Sequence, residues 1–192
     1  MRKAMLATMV LALLHAAPTM AGHKEGVEAF QAKDYPTAMQ EWRPLAEEGE
    51  GWAQFNVGLL YVRGLGLSKD FRQAASWFHK AAAQGNAAAQ ATLGFLYDRG
   101  WGVSQDFSLA VYWYRLAAEQ GERTAQFNLG VMYHQGWGIP PDFIEAHNWY
   151  NLASAAGFKA GARWRDLVAE QMTETELAQA HRLARAWTWR TQ

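Results

Sequence analysis

Residues 53–85 read AQFNVGLLYVRGLGLSKDFRQAASWFHKAAAQG. In residues 53–63 the apolar side chains recur at helical spacing, and Gly64 follows, which predicts a helix with a left-handed C-terminal cap. Asp70 with Gln73 three residues later is typical of the N-terminus of a second helix. The stretch therefore predicts a helical hairpin.

The two predicted helices carry complementary contact surfaces. Ala74, Trp77 and Ala81 form one apolar stripe of the second helix, at positions i, i+3 and i+7. Gly58 lies inside the first helix, where glycine costs about 1 kcal/mol relative to alanine. We expect Gly58 to permit close contact between the helices, opposite the small side chains of Ala74 and Ala81.

The hairpin is repeated with a fixed period. Trp77, Trp113 and Trp149 lie 36 residues apart. The same period relates the helix glycines, the capping aspartates and the paired loop glycines: Gly58, Gly94 and Gly130; Asp70, Asp106 and Asp142; Gly64/Gly66, Gly100/Gly102 and Gly136/Gly138. A period of this length indicates a solenoid of stacked helical hairpins.

These motifs resemble the Sel1-like repeat, a relative of the tetratricopeptide repeat with a longer loop between its helices. Three full units are assigned, at residues 50–85, 86–121 and 122–157. The resemblance implies an all-α fold, a right-handed α-solenoid of helical hairpins with a 36-residue period.

The flanking segments resemble incomplete units. Residues 22–49 form a partial unit closer to an ordinary tetratricopeptide hairpin. Residues 158–192 are predicted to form C-terminal capping helices, because Asp166 replaces the helix glycine, and Thr173 with Glu176 forms a capping box. The apolar stripe of the last helix comprises Leu177, Ala180, Ala184 and Trp187.

Residues 1–21 have the pattern of a secretory signal peptide. Arg2 and Lys3 precede the mostly apolar segment 4–17, and a small-residue cleavage site ends at Ala21. The apolar segment is shorter than the roughly 20 residues that span a bilayer. We expect a periplasmic or secreted protein that begins at Gly22 and has no stable membrane insertion after signal removal. His23 would then lie in a frayed tail, or bind Cu(II) with the new amine.

Composition excludes several functions. The 18 basic and 18 acidic residues balance, so no nucleic-acid partner is expected. The chain has no cysteine, which excludes disulfides, thiolate metal sites and cysteine nucleophiles. The histidines lack metal-ligand spacing, and the G-x-G loops lack a phosphate-binding signature. We expect no catalytic, cofactor-binding or metal-binding residues, and no cofactor.

The resemblance implies a function in binding. Sel1-like proteins are similar in being adaptors that assemble complexes or regulate signalling in the bacterial envelope, which implies a non-catalytic scaffold with a protein or peptide partner. The alternative is an envelope hydrolase acting on β-lactam or peptidoglycan with a groove acid such as Asp98, as linked to a cysteine-rich subgroup. This chain lacks that subgroup's cysteines. A structural subunit of an envelope assembly is a third possibility.

One face of the first helices is the candidate binding groove, since first helices line the concave face in tetratricopeptide-type solenoids. Three variable columns lie on that face at offsets of four and three: Phe55, Ala91 and Phe127; Leu59, Phe95 and Val131; Val62, Asp98 and His134. Alternatively, these side chains fill gaps between repeats.

Two further columns carry predictions. Gln54, Gln90 and Gln126 stay fixed although they are polar, which favours a repeated hydrogen bond between neighbouring units. Leu65, Trp101 and Trp137 lie between the loop glycines. They form an exposed apolar edge, or they fold back on Phe71, Phe107 and Phe143.

Overall fold

The computed structural model describes residues 22–188, with side chains described as far as Ala184. Over this range every regular element is a helix, so the all-α prediction is confirmed. The helices are α1 (22–31), α2 (Tyr35–Glu47), α3 (Gly51–Arg63), α4 (Phe71–Ala83), α5 (Ala87–Arg99), α6 (Phe107–Glu119), α7 (Arg123–Gln135), α8 (Phe143–Ala155), α9 (Lys159–Ala169) and α10 (Glu174–Thr188). The predicted signal peptide and the Trp187 side chain lie outside the described residues.

Consecutive helices pack as hairpins, as a solenoid requires. The chain divides after Gln84 into two compact units. In the first unit α2 packs on α3, and α3 packs on α4. In the second unit contacts run in chain order from α5 to α9, and α10 packs on α8. Within residues 22–188 no helix is both long enough and apolar enough to cross a membrane.

The helix ends follow the predicted capping chemistry. Gly64 ends α3 in the left-handed region, with φ 67°. Asp70 Oδ1 accepts hydrogen bonds from the backbone N–H groups of Arg72 and Gln73, at 2.9 and 3.0 Å. Thr173 and Glu176 exchange reciprocal side-chain to backbone bonds before α10. Local sequence therefore sets where these helices begin and end.

The helix glycines mark close contact, but an aromatic ring lies opposite them. Ala74, Trp77 and Ala81 are buried as predicted. A Cβ at Gly58 would lie 2.7 Å from Phe78, and Gly94 and Gly130 stand in the same relation to Tyr114 and Tyr150. The expectation that Ala74 and Ala81 face Gly58 most closely is therefore wrong. The ring fills the space that a side chain on the first helix would take.

In two of the loops the second glycine has a role that the sequence interpretation missed. Gly66 has φ 70°, and a Cβ there would lie 2.7 Å from Tyr35 Cβ, at the start of α2. Gly138 also has φ 70°, and its missing Cβ would meet the backbone of Phe107 and Ser108 at the start of α6. The loop thus rests on the second helix of the preceding hairpin, at a distance that only glycine permits.

Fixed glutamines link successive hairpins, as predicted. Gln54 Nε2 donates to the backbone carbonyl oxygen of Ala46 at 3.1 Å, which joins α3 to α2. Gln126 Nε2 donates to that of Ala118 at 3.2 Å, which joins α7 to α6. Both glutamines are buried, and each adds a side-chain donor to a helix-end carbonyl oxygen that also accepts from the backbone N–H of Gly49 or Gly121.

The C-terminal helices depart from the repeat. A Cβ on Gly161 of α9 would lie 2.6 Å from the backbone nitrogen of Ser154, so α9 approaches α8 backbone to backbone. Ala180 of α10 is fully buried and Leu177 is half-buried. Because α10 packs on α8, the last two helices do not reproduce the repeated hairpin.

Candidate functional site

The nine predicted groove residues have similar surroundings in the structure. Each has intermediate exposure, so none belongs to the fully buried core and none is fully solvated. In the first unit Phe55, Leu59 and Val62 share one face of α3, and the Phe55 ring lies 5.7 Å from that of Phe78. The ring that covers Gly58 therefore also supports the candidate anchor.

In the second unit an open cavity of about 270 Å³ lies between α5 and α7. Two predicted groove residues, Ala91 and Phe95, line it. The other lining side chains are mostly small or polar and were missed by sequence reasoning: Ala88, Thr92, Glu122, Thr124 and Asn128. The signal was available, because Asn56, Thr92 and Asn128 form the column directly after the Phe55 column.

Phe95 is held at the cavity by aromatic and cationic neighbours. Its ring meets that of Trp101 edge to face, with centroids 5.3 Å apart. The Arg99 guanidinium lies 5.5 Å from the Phe95 centroid, within cation–π range. Trp101 is itself 43% exposed. The cavity thus has an aromatic wall that reaches the surface.

Trp137 combines both alternatives that the sequence left open for the loop residues. Trp137 is 44% exposed, yet its ring stacks on Phe107 with centroids 5.6 Å apart. Phe107 belongs to the preceding repeat, so this stacking adds to the contact made through Gly138. Trp101 leans on Phe95 of the first-helix face. Each ring has one face packed and a substantial surface left in solvent.

Helix α9 covers part of the candidate face on α7. Phe127 packs against Phe158 and Trp164, with centroids 4.7 and 6.0 Å away. The His134 ring lies 6.2 Å from that of Trp164, and its Nε2 is 3.2 Å from Gln171 Nε2. The α9 side of α7 is therefore already occupied by the chain itself.

Asp98 is the one acidic residue among the nine of the candidate face. Its side chain is 14% exposed and lies 3.5 Å from Arg99 Nε. Burial raises the pKa of the Asp98 carboxyl, and the Arg99 charge opposes that shift. Burial and then the Asp98 charge raise the pKa of Tyr114, the ring that covers Gly94. A positively charged group of a partner that reached the Asp98 carboxylate would therefore meet little competition from water.

His23 is part of a helix. His23 lies in α1, and its ring packs edge-on against Trp52 with centroids 4.0 Å apart. The expectation of a frayed tail at this position is therefore wrong. Copper binding by His23 stays untested. Among residues 22–188 no group of three or more histidine and carboxylate side chains is arranged to hold a metal ion.

Stacked hairpins, a glycine under each second-helix ring and glutamine links between hairpins define an α-solenoid repeat protein. The Sel1 repeat family model matches residues 53–86, 87–122 and 123–158, more than half of the chain. The chain belongs to the Sel1 repeat family. Solenoids of this kind typically serve as protein-interaction scaffolds and are generally non-catalytic.

Two solved structures are similar to the chain. One is c5321, a protective antigen present in uropathogenic Escherichia coli strains that displays an SLR fold, with 35% identity over 79% of this chain and a TM-score of 0.74. The other is a Sel1 repeat protein from Oxalobacter formigenes, with 37% identity over 74% of this chain and a TM-score of 0.71. The chain spans 32% of the first and 58% of the second. The comparison with curated proteins gave no match.

Proposed function

We propose that this chain is an exported, non-catalytic adaptor that binds a protein or peptide along the first-helix face of its Sel1 repeats. Envelope signalling or complex assembly is the proposed setting. The observation that carries the proposal is the cavity between α5 and α7, where a half-buried phenylalanine adjoins polar side chains.

The side chains that line the cavity between α5 and α7 suit an extended peptide. Phe95 and Ala91 offer an apolar surface to one side chain of a partner. Thr124 and Asn128 offer hydroxyl and amide groups to its backbone, which must replace lost water contacts with hydrogen bonds. The Thr92 hydroxyl donates to the Ala88 carbonyl oxygen at 2.8 Å and can accept from a partner's N–H group. Mixed apolar and polar linings of this kind are typical of binding pockets.

The test is to select peptides on the immobilised protein from a random library and to compare their affinity for two variants. Phe95→Ala removes the aromatic wall and should weaken binding by about 2 kcal/mol, about thirtyfold. Tyr112→Ala is the matched control, because Tyr112 is a 53% exposed aromatic residue on α6, a second helix. It should leave affinity unchanged.

Equal losses in the two variants, or no loss in Phe95→Ala, would refute this surface as the peptide site. Far-UV circular dichroism and melting curves establish that each variant is folded. A chromogenic β-lactam assay on the same preparations tests the non-catalytic part, because turnover above background would show an enzyme.

A further inference from the structure

A second cavity lies between α8, α9 and α10, apart from the proposed peptide surface. Its volume is about 240 Å³. Its polar lining comes from His147 and Asn151 of α8, Arg165 and Asp166 of α9, and His181 of α10. These residues lie in different helices and outside the repeated columns, so the sequence did not predict their convergence.

Hydrogen bonds connect part of the polar lining. The rings of His147 and His181 have centroids 5.6 Å apart. Arg165 Nη1 donates to Asn151 Oδ1 at 3.2 Å, and its Nε and Nη2 donate to Asp166 Oδ1 at 2.9 and 2.7 Å. Both of the latter bonds use one carboxylate oxygen, so Asp166 Oδ2 is left as a free acceptor. The positive charge of Arg165 and the negative charge of Asp166 balance in this lining.

One residue of the polar lining has an unmet requirement. His147 is only 3% exposed, and among the described residues its Nδ1 is buried without a hydrogen-bond partner. A buried polar group without a hydrogen-bond partner is unfavourable. Burial, with His181 and Arg165 nearby, lowers the pKa of His147 to about 4, so the ring is neutral near pH 7. Such a ring both donates and accepts, and a ligand could satisfy it.

The rest of the lining is apolar. It comprises Ala169, Leu177 and Ala184. A ligand that matches the whole lining carries balanced charges and a short hydrocarbon. The volume lies at or below the lower end of the roughly 300–1,000 Å³ usual for ligand pockets, so the ligand is small.

We propose that this cavity binds a small aliphatic amino acid. The ligand carboxylate meets the Arg165 guanidinium and the imidazoles, its ammonium group meets Asp166, and its side chain lies against Leu177. A simple carboxylate would bring a second negative charge beside Asp166 without a partner. The proposal is independent of the peptide surface on α5 and α7.

The test uses L-valine as the probe and follows the imidazole C–H resonances of the purified protein by NMR. Saturable shifts of the His147 and His181 signals are expected, with a Kd below about 10 mM. Butanoate, which lacks the ammonium group and one methyl group, and isobutylamine, which lacks the carboxylate, should each bind at least about tenfold more weakly.

Two variants and one control locate the site. Arg165→Gln and Asp166→Asn should each weaken valine binding at least about tenfold, while Arg163→Gln, an exposed arginine on the same helix, should not. Asp166 is 66% exposed, so Asp166→Asn keeps the test open if Arg165→Gln does not fold. Asp166→Asn should spare butanoate.

Several results would overturn the proposal. The first is the absence of any shift with valine at tens of millimolar. The second is butanoate binding as tightly as valine, which would indicate a simple anion site. The third is equal losses in Arg163→Gln and Arg165→Gln. The fourth is a saturable response of both imidazoles to Zn²⁺ alone without any response to valine, which would indicate a metal site.

Discussion

Gln120 Nε2 donates a 2.7 Å hydrogen bond to Oε1 of Gln90, which joins the end of α6 to the start of α5. The same bond links Gln84 to Gln54 in the preceding repeat, at 2.8 Å. The two bonds satisfy the side-chain oxygens of Gln90 and Gln54. The side-chain nitrogen of Gln54 donates to the preceding hairpin. The buried side chain of Gln54 therefore links α3 both to the preceding hairpin and to the end of α4.

The third repeat lacks this bond. Ala156 occupies the position of Gln84 and Gln120, with similar backbone angles, and Gln126 Oε1 is buried without a partner among the described residues. Ala156→Gln should supply the donor and stabilise the fold by about 0.5–1.5 kcal/mol. For a domain of this size that corresponds to a melting temperature higher by about 1–6 °C.

Scanning calorimetry measures the change, and two variants control it. Ala155→Gln adds the same side chain one position earlier, facing a different direction, and should have little effect. Gln120→Ala should lower the melting temperature by removing the equivalent bond. If Ala155→Gln and Ala156→Gln stabilise equally, the missing bond is not the cause.

The contact between Gly94 and Tyr114 predicts a steric penalty. A Cβ at Gly94 would lie 2.7 Å from the ring of Tyr114, which is fully buried. Gly94→Ala gains about 1 kcal/mol of helix propensity, but overpacking against a ring that cannot move costs about 1–3 kcal/mol. Because the contact is so short, we expect the penalty to win and the melting temperature to fall.

Gly51→Ala is the matched control, a glycine-to-alanine change in a first helix. The nearest atom there is Gln84 Oε1 at 3.2 Å, at the end of an exposed side chain that needs to shift only slightly and that makes its bond to Gln54 through Nε2. We expect it to be neutral or stabilising in thermal or urea unfolding. If the Gly94→Ala protein is as stable as the parent, the Tyr114 ring moves to accommodate the added methyl group.

The burial of His147 predicts a dependence of stability on pH. Its pKa in the folded protein is lowered to about 4, whereas the unfolded chain has an ordinary histidine pKa of about 6.5. Between these values the unfolded state binds more protons, so stability decreases as the pH falls from about 6.5 to about 4. Melting temperatures across this range should show the decrease.

His147→Gln removes the titrating group and should flatten the part of the slope that His147 contributes. His181→Gln keeps the buried ring and should retain most of the slope. Half-buried His79, whose pKa burial also lowers, adds a smaller slope of the same sign. Identical profiles for the parent and His147→Gln would contradict the prediction.

Export predicts a defined mature N-terminus. The proposed signal segment ends at Ala21, so intact-mass measurement of the native protein should find a chain that begins at Gly22. Ala21→Leu should block cleavage, because the peptidase requires a small residue there. A full-length cytosolic species as the main form would refute the localisation.

Much of the fold was predictable because its determinants are local or periodic. The Asp70 cap, the Gly64 helix end and the stripe through Trp77 each depend on neighbours within two turns, and all three recur every 36 residues. The link through Gln54 was also predictable, since a fixed polar position inside a helix indicates a buried hydrogen bond. The candidate groove face followed from helical spacing in the same way.

Other features were decided by tertiary packing. Which residue covers Gly58 depends on the rotation of one helix against the other, and that rotation brings the Phe78 ring to the glycine where an alanine was expected. Trp137 stacks on Phe107 of another repeat, because the loop rests there through Gly138. His147 and His181 meet because α10 packs on α8, and no periodicity relates residues 34 positions apart. Helix ends and faces are determined by contacts near in sequence, whereas these pairings arise only when separate helices pack together.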